Sequence, residues 1–337
     1  MAEIVLGMWT SHGPTLSTTP EQWLMRVKAD KNRPSHPFRL GNYSFEQLKE
    51  LRQSEDLGAQ ASLEERTARH ARCQNAIAKM ADLWDEIKPD VAVIMGNDQK
   101  EIFNEDVIPA FTVFAGETLY NEPASAEQIP LMAPGIHEAE DGHNPPQYTE
   151  YPGLPELGKL IIETATREGF DVTQMMKLPR HEKHWSSGVG HAFGYVYRQV
   201  MRDNVVPNVP IISNTFFPPN QPTAKRCFEF GRMVGRAIKA WDSDLKVAVF
   251  GSGGMSHFVI DEDLDKLFME ALANRDAKTL TGLDEGYFQT GTSELKNWIA
   301  AAGILFDTAL EGGVIDYVPC YRSEAGTGTA NGFVSWR

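Results

Sequence analysis

Phe250-Gly251-Ser252-Gly253-Gly254-Met255-Ser256-His257 joins a tight glycine turn to a side chain that can accept a proton near neutral pH. Leu245 to Phe250 reads as a buried β-strand, so the turn falls at a strand's carboxyl end, where open α/β sheets bind ligands. The stretch is expected to be an active-site loop presenting His257 as a general base. His12, Gln99 and His191 also stand on loops at the ends of predicted elements, and Glu294 begins a helix after Gly291-Thr292-Ser293. Histidine with carboxylate is the ligand set of non-heme iron(II) sites, which keep positions open for oxygen and substrate.

Each residue also has a plainer reading. His12 after Ser11 can be a turn residue bonded to backbone, His191 a helix start, and Asn97-Asp98-Gln99 turn chemistry. A glutamate in a first helical turn is favoured by the helix dipole without any function. The glycine run is not a dinucleotide loop: Ser256 stands where the last glycine is needed, and no acidic residue follows at the usual spacing. His70 shares a helical spacing with Cys73 and Ile77 and reads as a core histidine. His36, His137, His143, His181 and His184 lie in polar stretches and read as solvated or supporting groups. Lys225-Arg226 near a helix start can grip a substrate carboxylate or face solvent as a charge pair.

The elements that must position these groups alternate. Ile4 to Trp9, Val91 to Met95, Val107 to Phe114, Val172 to Leu178, Val209 to Ser213 and Leu245 to Phe250 read as strands. Helices are expected from the capping box at Ser62-Leu63-Glu64-Glu65 to Ile87, where Lys88-Pro89 stops the run, and over 154–168, 191–202, 223–241 and 293–302. Such alternation predicts a single α/β domain over 1–337, a mixed central sheet with helices on both faces. Residues 18–60 read as a helical insertion over the sheet, and 121–153, rich in Pro, Glu, Gly and Asn, as a long loop or lid.

A chain of 337 residues with 42% apolar content can build a sizeable core. Its 32 basic and 46 acidic side chains leave a net charge of −14, which argues against nucleic acid or an acidic membrane surface as partner. Three scattered cysteines without a C-x-x-C argue against a disulfide framework or a zinc-thiolate site and fit a reducing cytoplasm. No signal peptide and no membrane span are read.

Taken in order, the segments resemble the class III extradiol dioxygenases, the family of the protocatechuate 4,5-dioxygenase β-subunit. The resemblance runs through Ser11-His12-Gly13-Pro14, Asn97-Asp98-Gln99 to Phe103, Ile108-Pro109-Ala110-Phe111, Val189-Gly190-His191, Pro218-Pro219 and Lys225-Arg226-Cys227-Phe228. It continues through Gly251 to His257, Ser293-Glu294-Leu295 with Trp298, and Gly326-Thr327-Gly328-Thr329-Ala330. It implies an Fe(II) enzyme that inserts O2 into a catechol ring. His12 and Glu294 match two family ligands, His257 the base, and His191 a second histidine that contacts substrate or oxygen. The family's second histidine ligand falls at position 99, which here is glutamine. Gln99 itself, or His36 or His70, completes the site under this reading, or the chain is a non-catalytic paralogue or structural subunit. Among family members the chain is similar to single-chain enzymes of lignin-derived aromatic acids such as 3-O-methylgallate and gallate. A ring carboxylate would then meet Asn214, Lys225, Arg226 or Arg322. The insertion at 18–60 is expected to replace a partner subunit, leaving a self-sufficient homo-oligomer, a dimer.

Overall fold

A computed structural model describes residues 2–181 and 183–337. Nine strands form the central sheet: β1 (Glu3–Thr10), β2 (Val91–Asn97), β3 (Phe111–Phe114), β4 (Thr173–Met175), β5 (Asn208–Ser213), β6 (Lys246–Ser252), β7 (His257–Val259), β8 (Gly312–Tyr321) and β9 (Thr327–Trp336). The spatial order is β7-β9-β1-β6-β2-β5-β3-β4, with β8 paired to β9. β1, β6, β2 and β5 run parallel, whereas β9 is antiparallel to β1, β7 and β8, and β3 is antiparallel to β5. The sheet is mixed, as the alternation of elements predicts.

The central strands are apolar on both sides because helices cover both faces. Val91, Val93, Met95, Val247 and Val249 point to one layer, with α2 (Pro155–Arg167), α4 (Ala224–Ala240) and α6 (Leu295–Leu305). Ala92, Ile94, Ala248 and Phe250 point to the other, against α1 (Leu63–Ile87) and α3 (His191–Tyr195). Ser62 caps α1, its hydroxyl accepting the Glu65 N–H at 3.3 Å, and Lys88 ends the helix in a left-handed conformation. Cys73, Ile77, Met80 and Trp84 form the buried stripe of α1. Full burial of such side chains contributes about 1.5–3 kcal/mol each.

Several boundaries differ from the sequence expectation. The strand expected over 107–114 is regular only from Phe111, since Pro109 lacks a ladder donor. The one expected over 172–178 shrinks to the edge strand β4. The helix beginning at His191 widens to a π-helical turn over Val196–Val200. The β8–β9 hairpin and α5 (Glu262–Ala273) were not anticipated. β9 is buried along both sides and rich in Gly, Thr and Asn, so it shows neither alternation nor strong strand propensity.

Residues 18–60 fold into short helices, Val27–Asn32 and Phe45–Leu51 among them, and a small hairpin of His36–Phe38 with Gly41–Tyr43. Phe38, Phe45 and Leu48 bury themselves against Val259 and Ala325, which fixes the insertion beside β7. Residues 121–153 hold two short 3-10 turns and a strand, Thr149–Pro152. Among the described residues no helix is long and apolar enough to cross a membrane.

Candidate active site and metal centre

Three parallel strands end along one edge of the sheet. Thr10 of β1 lies opposite Ser252 of β6, and Gly251 opposite Met95 of β2. The loops after these strands therefore emerge side by side: His12 after β1, Gln99 after β2, and Gly253–Gly254 after β6, leading to His257 at the start of β7. Glu294 stands just before α6, whose packing on β6 and α4 brings it over the same edge. His191 starts α3 on the opposite layer. Together these groups line a cavity of about 370 Å³.

Glu294 is the centre of the cluster and is 2% exposed. Its Oε1 accepts from Gln99 Nε2 at 2.8 Å and Asn97 Nδ2 at 3.3 Å, and its Oε2 from the Gly254 N–H at 2.7 Å. The same Oε2 lies 3.2 Å from His12 Nε2 and 3.6 Å from His257 Nε2. Burial opposes ionisation of Glu294, but the neighbouring His12 and His257 outweigh it and hold the carboxyl well below its ordinary range.

Hydrogen-bond chemistry assigns the imidazole protons. Ser252 donates its hydroxyl to the Ala192 carbonyl at 2.6 Å, so its oxygen accepts from His12 Nδ1 at 2.8 Å. His257 Nδ1 donates to the Met255 carbonyl at 2.7 Å. His191 Nδ1 lies 2.8 and 2.7 Å from the two oxygens of Glu101. All three Nδ1 atoms thus carry hydrogen, and Nε2 is the atom left for a ligand or a proton. Burial pulls the His12 pKa down, and its Nε2, which faces a carboxylate oxygen, has no hydrogen-bond partner. A buried ring nitrogen without a partner beside a carboxylate oxygen is costly unless a proton or a cation lies between them. This donor set fits a divalent metal: imidazole Nε2 atoms and one carboxylate. Among the described residues, ligand atoms of His12, His191 and Glu294 lie within 4.8 Å of one another.

Asp98 shapes the turn after β2 by accepting the N–H groups of Glu101, Ile102 and Phe103 at 2.8–3.1 Å. Burial, with Glu101 nearby, pushes its carboxyl up to about 6. Burial alone would depress His191, but the paired Glu101 carboxylate raises it to about 9. Behind the glycine loop, Asp265 of α5 accepts from the Ser256 N–H at 2.8 Å, the Ser256 hydroxyl at 2.6 Å and Tyr317 at 2.7 Å.

The structure brings together His12, Gln99, His191, His257 and Glu294, and Arg322 joins them on the cavity wall. Asn214, Lys225 and Arg226 do not line it. Asn214 holds the turn to Phe217, Lys225 is exposed beside Glu229, and Arg226 reaches the Gly169 carbonyl over the Phe170 ring. His36 and His70, the sequence alternatives for the missing ligand, are removed by geometry. His36 Nε2 is bonded to the Asp30 carbonyl at 2.9 Å, and His70 lies between Trp23 and Gln74 on α1. Glu101 and Arg26, unassigned in the sequence reading, and His143, read there as a solvated or supporting group, also line the cavity. Nothing in their local spacing signals it, since each comes from a polar stretch without a period.

Arg26 and Arg322 stand on the wall formed with the insertion. Arg322 is paired with the buried Asp30 through Nε at 2.6 Å and Nη2 at 2.8 Å. Arg26 donates to the Pro134 carbonyl at 3.2 Å, and burial, with Arg322 close by, lowers its pKa to about 10. A third guanidinium, Arg33, stacks 4.6 Å over Phe258, another wall residue. Leu131, Ile136 and Trp185 add apolar surface.

A family model described as the catalytic LigB subunit of aromatic ring-opening dioxygenase matches residues 67–317. That span contains Gln99, His191, His257 and Glu294, whereas His12 precedes it and is placed here by β1. A gallate dioxygenase of Pseudomonas putida is 34% identical over 95 residues, which span 25% of this chain and 28% of that enzyme's length. The crystal structure of uncharacterized protein JW3007 from Escherichia coli K12 aligns over 77% of this chain and 91% of that one, at 14% identity and a TM-score of 0.42.

Proposed function

The chain belongs to the family of catalytic LigB subunits of aromatic ring-opening dioxygenases, and from that premise we propose that it is an Fe(II)-dependent extradiol dioxygenase of a catechol-type aromatic acid. Gallate and 3-O-methylgallate are the leading substrates, and a cytoplasmic homodimer is the working form. The reading rests above all on His12 Nε2 facing Glu294 Oε2 at 3.2 Å in a buried site. His12 and Glu294 would hold the metal. When bound, a ferrous ion lowers the pKa of diol hydroxyls and supports oxygen chemistry at the open positions of its site.

The protein's own groups do the rest. His257, with Nδ1–H tied to the Met255 carbonyl, offers Nε2 to take a proton from a substrate hydroxyl. Trp185, Phe258 and Ile136 hold the ring and exclude water. Among the described residues, Arg26 and Arg322 face the cavity with Asp30 as their one bonded carboxylate partner, an imbalance that suits an anionic ring substituent. Arg26→Gln is expected to raise KM for a carboxylated catechol about 10–100-fold, the loss of one charge-assisted hydrogen bond, with a much smaller change for catechol itself. Equal changes for the two substrates would place Arg26 outside carboxylate binding.

Oxygen uptake by protein reconstituted anaerobically with ferrous iron tests the function. Consumption on adding gallate, 3-O-methylgallate or protocatechuate is expected. Bound iron without uptake on any of them would favour a non-catalytic subunit built on this fold, the reading that glutamine at position 99 supports.

A further inference from the structure

We infer that His191, oriented by Glu101, supplies the second imidazole of the metal site, and that Gln99 has become a hydrogen-bond donor to the carboxylate ligand. The inference rests on the metal-dependent reading above and says which side chains of this chain make the site.

Gln99 is engaged elsewhere. Its Nε2 donates to Glu294 Oε1 at 2.8 Å, and a carboxylate oxygen can only accept, so the amide edge turned to the cluster is its N–H edge. An N–H edge has no lone pair to give a cation. Together with Asn97 it occupies Oε1 and leaves Oε2 as the oxygen facing His12.

His191 has the bonding of a ligand. Its Nδ1 is held by both oxygens of Glu101 at 2.8 and 2.7 Å, and its backbone N–H by Glu101 Oε1 at 2.8 Å. Ring and main chain are therefore fixed by one carboxylate that is itself 4% exposed. An imidazole whose distal N–H is held by a carboxylate is the usual support for a metal-binding histidine. Gly190 makes the approach possible, since a Cβ there would lie 2.9 Å from Glu101 Oε2. His12 is oriented in the same manner by Ser252, and the two rings meet edge to face with centroids 4.5 Å apart. Their ligand atoms and that of Glu294 lie within 4.8 Å of one another. Position 99 and position 191 thus exchange duties: the carboxylate keeps its donor, and the site keeps two imidazoles.

Metal-stripped protein titrated anaerobically with Co(II), followed by calorimetry and by visible d–d absorption, tests the assignment without turnover. His191→Ala is expected to weaken Co(II) binding by more than about 100-fold and to change the d–d bands, and Glu101→Gln to weaken it about 10-fold or more. Gln99→Ala, which removes a donor to the carboxylate and not a ligand, should weaken Co(II) binding about 10-fold, well short of the His191→Ala loss. Thermal unfolding of the metal-free variants checks that each folds. Wild-type affinity and spectrum in His191→Ala would overturn the inference; if that variant does not fold, the same result in Glu101→Gln would overturn it. Failure of the wild type to take up Co(II) would instead remove the metal-dependent function itself.

Discussion

His257→Ala is expected to lower kcat for ring opening by about 10²–10⁴-fold, the range for loss of a positioned general base, while bound iron stays close to wild type. Nδ1 of this ring is committed to the Met255 carbonyl, and Nε2 faces the cavity 3.6 Å from Glu294 Oε2. Removing the ring deletes the proton acceptor and leaves the His12–Glu294 pair and its donors in place. Steady-state oxygen uptake alongside metal analysis measures both quantities. Loss of iron together with activity would make His257 a ligand instead of a base.

Gly291→Ala should act almost as strongly although it removes no reactive group. The His257 ring lies in a slot between two glycine backbones. A Cβ at Gly254 would stand 2.5 Å from its Cε1, and one at Gly291 would overlap Cδ2, Nε2 and Cγ. Two of the three carry the reactive edge, so a methyl at 291 must push the base out of line. A displacement of about 1 Å can cost about 100-fold in rate, and overpacking of this kind costs about 1–3 kcal/mol of stability. Metal affinity should hold, because the three atoms nearest that methyl all belong to His257. Wild-type turnover in Gly291→Ala would mean that catalysis does not depend on the ring's position. The comparison with His257→Ala separates loss of the base from its misplacement.

Much of the architecture was legible because it is written locally. The stripe Cys73, Ile77, Met80 and Trp84 repeats at helical spacing, and Ser62 and Lys88-Pro89 mark the ends of α1. The all-apolar runs of β2 and β6 read as doubly covered strands. The β8–β9 hairpin stayed hidden, since Thr327-Gly328-Thr329-Ala330-Asn331-Gly332 is buried by neighbours on both sides and has no period of its own. Lys225 and Arg226 looked like a carboxylate grip by residue type, but they start α4 on a face turned away from the cavity. Arg26 reaches the cavity from an insertion whose sequence shows only polarity.

By itself, the amino-acid order determined which strands end in loops and which loops carry His12, Gln99, His257 and Glu294, because strand period and glycine turns are short-range properties. Only the tertiary structure decided what each side chain does there. A residue's role depends on which atom faces it across 90 to 282 positions of chain: Glu101 on His191, Gln99 on Glu294, Glu294 on His12. Such pairings are set by parallel strand order and helix packing, which no local spacing encodes.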